Sequence, residues 1–126
     1  MTETENELAT RIGTEETVIL KPAIVEIVEV RMEEVGDKKA KKIVCVCSYP
    51  NSEQKIKIST VKWENRKGKL EFSGLWFNTD SQKLIRKGSA LAVFLKNTNS
   101  AAPEELVGKK ISTVQDEAGY LAFKAY

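Results

Sequence analysis

The chain has 126 residues, 41% apolar and 30% charged, the size and balance of a single globular domain that builds its core without disulfides or metals. It contains no histidine, which excludes Ser-His-Asp and Cys-His catalysis and removes the commonest metal ligand. Its net charge of +2 hides an uneven distribution, with −7 over residues 1–37, +8 over residues 38–69 and +1 over residues 70–126.

No apolar run approaches the roughly 18 residues of a membrane span, and the acidic start lacks the apolar stretch of a signal peptide. These features point to the cytosol, where two free thiols are at home. Lysine and glutamate dominate the charged residues and aspartate occurs three times, a bias that fits a thermophile.

Residues 1–17 are rich in glutamate and poor in apolar side chains, and read as an acidic, disordered tail ahead of one domain over 18–126. Within 18–35, Ile24-Val25-Glu26-Ile27-Val28-Glu29-Val30 holds five β-branched residues, which favours a strand over a helix. Its alternation slips: Val25 and Ile27 share one face while Val28, Val30 and Met32 share the other. A long first strand with a bulge near Ile27 accounts for that slip. A helix with Pro22 in its first turn is the competing reading.

Gly36-Asp37-Lys38 is a turn, and residues 43–49 form a strand apolar on both faces, hence central. Residues 55–77 follow as a hairpin around Glu64-Asn65-Arg66-Lys67-Gly68-Lys69, with Gly68 at a positive-φ position. Ile56 and Ile58 are even-numbered and Val61 and Trp63 odd, so the phase changes at Ser59-Thr60, which implies a second bulge and a strongly coiled strand. On the return arm Leu70, Phe72, Gly74 and Trp76 share a face. Gly74 marks a bend or a close approach to the backbone. Ser89 caps a short helix over residues 90–96, Pro103 starts a further helical turn, and residues 111–126 form a closing hairpin.

Cys45-x-Cys47 lacks the partners of a zinc site and reads as two buried small side chains. Glycine-rich phosphate loops are absent, and no carboxylate pair has a catalytic spacing. The segment 55–77 is the one constellation with chemistry in it. It interleaves Lys55, Lys57, Lys62, Arg66, Lys67 and Lys69 with Trp63, Phe72 and Trp76. Cations neutralise phosphates and exposed rings stack bases. The bland alternative is that the rings are core and the lysines a solvated face.

A long bent first strand, two more strands with a bulge, a short helix and a closing hairpin resemble the OB-fold. Gly88-Ser89, Val107-Gly108-Lys109-Lys110 and Gly119-Tyr120-Leu121 look like the last third of OB domains in single-strand-binding and replication-protein-A-like proteins. The arm over residues 69–77 departs from the five strands of a simple OB barrel. The expected fold is therefore mainly β: a small, partly open, five- to six-stranded OB-like barrel with one short helix, against an α+β alternative. The resemblance implies a non-enzymatic module for single-stranded nucleic acid, DNA before RNA, with no cofactor and no metal. A protein–protein interaction module, or accessory subunit, is the competing function.

Overall fold

The structure, a computed structural model, describes residues 8–11 and 20–126. Apart from residues 8–11, the expected acidic tail lies outside the described residues. The elements are β1 (Ile24–Val35), β2 (Ala40–Ser48), β3 (Lys55–Ile58), β4 (Thr60–Glu64), β5 (Leu70–Gly74), α1 (Ala90–Asn97), a 3-10 turn (Pro103–Leu106), β6 (Lys110–Gln115) and β7 (Leu121–Ala125).

β1 is the bent strand its β-branched content predicts. Its register with β2 runs from Ile27↔Cys47 to Glu29↔Val46, leaving Val28 as the extra residue of a bulge. The insertion turns Val30 back to the side of Val25 and Ile27, opposite Cys45, which resolves the slip in its alternation.

The strand order is β3-β2-β1-β6-β7-β4-β5. Ser59 alone separates β3 from β4, so one continuous run supplies strands near both ends of this order and the sheet curls round on itself. Counted as one, β3 and β4 give five strands, closed by parallel pairing of β4 with β7, while β5 is a sixth. This is the expected mainly β, partly open barrel, and the described residues form no α+β layer.

The phase change at Ser59 has a topological cause. β3 pairs with β2, whereas β4 leaves β2 and runs between β5 and β7. The segment after β5 fills the place that β4 vacates. Ile43 donates its N–H to the Leu75 carbonyl at 2.8 Å, and Phe77 donates to the Lys41 carbonyl at 2.8 Å. Leu75 donates to the Ser59 carbonyl at 2.9 Å, so three chain segments meet at this seam.

The core holds Val25, Ile27, Ile43, Ile58, Val61, Leu75, Leu91 and Leu106. α1 packs on β4 and β7, with the Phe94 ring stacked on Phe123 at a centroid distance of 4.8 Å. Ser89 caps α1 as its residue type predicts, its Oγ accepting from the Ala92 N–H at 3.2 Å. At the other end of α1 the Lys109 ammonium donates to the Asn99 carbonyl at 2.9 Å and to the Ser100 Oγ at 2.8 Å, and also to the Thr98 carbonyl. A cation at the carbonyl end of a helix is favoured by both the hydrogen bonds and the helix dipole.

Candidate nucleic-acid interface

β5 and its continuation carry Leu70, Phe72, Gly74 and Trp76 on the outward face of the wall. Phe72 is paired with Lys62 on β4, and Lys62 in turn with Lys124 on β7. Side chains of directly paired residues project to the same side of a sheet. The Lys62 ammonium therefore lies between two rings, 5.2 Å from the centroid of Phe72 and 5.8 Å from that of Tyr126. Lys124 sits 5.0 Å from the Tyr126 centroid.

The second half of the face is built at the seam. Lys42 of β2 forms a bridge with Trp76 and holds its ammonium 5.1 Å from the indole centroid. A Cβ on Gly74 would stand 2.8 Å from the Trp76 Nε1 and 2.9 Å from the Lys42 Cε. Only glycine lets the indole fold down beside the strand, on the side to which Phe72 projects. Phe72 and Trp76 are four residues apart, about 13 Å along an extended strand.

Against this geometry, the residues singled out in the sequence divide into four groups. Lys62, Phe72 and Trp76 come together as described. Lys55 and Lys57 are exposed on β3, on the far side of the Ser59 break, where Lys57 pairs with Val46 and Val46 pairs with Glu29. Arg66, Lys67 and Lys69 are exposed in the β4–β5 turn. That turn is shaped by Asn65, whose Oδ1 accepts from the Lys67 and Lys69 N–H groups at 2.9 and 3.1 Å, and by Gly68 at φ 74°.

Trp63, the fourth, belongs to none of these surfaces. It is 8% exposed and part of the core, because the odd-numbered residues of β4 face inward with Val61. As a stacking surface it is corrected to a core residue. Three residues of the face were not singled out in the sequence: Lys42, Lys124 and Tyr126. Only the alternation of Ala122, Lys124 and Tyr126 hinted that the last two share a face.

No family model, curated protein or solved structure matches the chain. The reading of the site therefore rests on its own geometry.

The charge pattern sorts the lysines further. Among the described residues the one ion pair is Glu29–Arg31, at 2.9 Å on β1. The hydrogen bond from Arg31 holds the Glu29 carboxyl below its usual range, with a smaller contribution from Lys57. β1 thus sets Glu29 beside Lys57, whereas Lys62 and Lys124 have rings for neighbours. Lys62 and Phe72 also border a shallow hollow with Glu71, Asp116 and Glu117.

Cys45 and Cys47 are buried and free, with the Cys47 thiol directed at the Cys45 carbonyl at 3.6 Å. Burial pushes both thiols up to about 12, which keeps them protonated and inert. No group of three or more Cys, Asp or Glu side chains able to hold a metal ion occurs among the described residues. No helix among them is long and apolar enough to cross a membrane.

Proposed function

We propose that the chain is a non-enzymatic module that binds single-stranded nucleic acid on the outward face of β5, β4 and β7. The observation that carries this reading is the set of ring–lysine contacts along one face: Lys42 with Trp76, Lys62 with Phe72, and Lys62 and Lys124 with Tyr126. An exposed cation–ring contact is worth about 0.5–1 kcal/mol, and a stacked base about 1–3 kcal/mol. A base that displaces a lysine from its ring therefore gains energy, and the displaced ammonium is left within reach of the adjoining phosphate. The resemblance to single-strand-binding OB domains supports the same reading at the level of fold.

The test is a titration of oligo-dT, with oligo-U in parallel, followed by tryptophan fluorescence. Trp63 is buried and Trp76 half-buried, so a change in emission reports mainly on Trp76. Binding that weakens linearly in log–log form with added salt is expected, with a slope near −0.7 per phosphate neutralised. Unchanged emission and no binding at low salt overturn the proposal. DNA is the expected preference over RNA.

A protein partner is the second reading, favoured by an apolar groove of about 410 Å³ bordered by Leu20, Ile56, Ile58, Tyr120 and Leu121. Light scattering at several concentrations and a pull-down from native extract separate it from the first.

A further inference from the structure

We infer that Arg66, Arg86 and Lys87 form an anion site for a phosphate group, apart from the aromatic face. The site stands whether or not that face binds nucleic acid. Arg66 comes from the β4–β5 turn, and Arg86 and Lys87 from the loop ahead of α1. With Asp80, Gly88 and Ser89 they line one surface concavity of about 450 Å³. Three like charges drawn from two segments face one concavity, a field that an anion between them relieves.

Among the described residues the concavity sets three cations against one acid. None of the three cations forms an ion pair with a described carboxylate. Asp80, the one acid of the concavity, turns an oxygen to its own loop, where Oδ1 accepts from the Gln82 and Leu84 N–H groups at 2.8 and 3.0 Å. The first turn of α1 holds no acid, so the positive end of the helix adds to the same field.

One of the three cations packs on the backbone of the same loop. The Arg66 guanidinium lies over Gly88, where an added Cβ would stand 2.6 Å from Nε and 2.8 Å from Cζ. The Arg86 carbonyl is fixed from the other side, accepting from the Ser89 N–H at 3.1 Å and the Ser89 Oγ at 2.8 Å. Two guanidiniums offer forked donors that match the oxygens of a phosphate, and Lys87 adds a point charge. The ligand class is a phosphate oxyanion, either the free ion or the end of a phosphomonoester.

The experiment is an NMR titration of the full chain with inorganic phosphate, and separately with phenyl phosphate, at constant ionic strength. Side-chain N–H signals of Arg66 and Arg86 and the amide signals of Ser89 and Ala90 are followed. Saturable shifts on these four residues are expected. Tighter binding of phenyl phosphate assigns the site to a monoester, and tighter binding of inorganic phosphate to the free ion. Gly88→Ala keeps every charge but pushes the guanidinium aside. Since only a flexible side-chain tip must move, the variant should melt like the parent. It and Arg66→Ala should each bind about tenfold more weakly, the loss of one charge-assisted hydrogen bond. Lys96→Ala, an equal change in net charge at the far end of α1, should bind unchanged. No saturable shift with either probe, or equal weakening in all three variants, overturns the site.

Discussion

The Trp76 indole and the Gly74 backbone occupy space that a single methyl group would contest, since a Cβ on Gly74 would stand 2.8 Å from the Trp76 Nε1. Gly74→Ala should therefore lift the indole and the Lys42 side chain off the strand. The expected result is red-shifted emission, stronger acrylamide quenching and oligo-dT binding weakened by about 1 kcal/mol or more, roughly fivefold. Emission identical to the parent would show that the indole does not rest there.

Lys62 and Phe72 are cross-strand partners with separable contributions. Lys62→Met should reduce the salt slope of oligonucleotide binding by about 0.7, the value for one phosphate contact on a single strand. Phe72→Ala should weaken binding by about 1–3 kcal/mol and leave the slope unchanged. The pair of log–log salt plots checks both. Equal slopes in the two variants would mean that charge and stacking are not divided in this way.

Two core aromatics should respond differently to substitution. The Trp63 Nε1 is buried and finds no acceptor among the described residues, so Trp63→Phe abandons no protein hydrogen bond. Its cost should be that of trimming part of a ring, below the ~3–5 kcal/mol of deleting a whole aromatic side chain. Phe94→Ala removes a ring stacked on Phe123 and should cost about 3–5 kcal/mol. Urea melts of the two variants check the contrast.

The thiols set an alkaline limit on stability. Burial raises the Cys45 and Cys47 pKa values from 9.0 to about 12, so the folded state holds these protons more tightly than the unfolded chain. Their contribution is complete below about pH 9 and is lost as the pH rises toward 12. Urea midpoints should fall over that interval, and less steeply in Cys45→Ala/Cys47→Ala. In the native protein at pH 8 both thiols should resist a disulfide reagent that titrates them freely in urea.

Much of the wall was legible because β-branched residues record their own orientation. The slip in alternation at Ile27 marked a bulge that the structure contains, whereas the one at Ser59, expected as a second bulge, is a change of strand partners. The capping role of Ser89 and the turn at Gly68 followed from residue type in the same way. What alternation could not decide was which side of a strand faces the core. Trp63 and Trp76 differ in this respect, because β4 turns Trp63 inward while the segment after β5 turns Trp76 outward. Nor does a chain record its distant pairings. Tyr126 and Lys124 reach Lys62 only through the parallel register of β4 and β7, between residues more than sixty apart. Lys42 sat in a run of charge that reads as an ordinary turn until the segment after β5 is laid beside it.

The seam at Ser59 has a consequence for breathing of the barrel. Most joints in the wall are continuous ladders, but this one rests on the amides of Ile43, Leu75 and Phe77 and the carbonyls they reach. A joint with so few backbone links opens at lower free energy than its neighbours. Hydrogen exchange at these three amides should be faster than along the β1–β2 ladder. Trp76 and Lys42 sit across the same joint, so a molecule gripping them would act as a latch and slow that exchange.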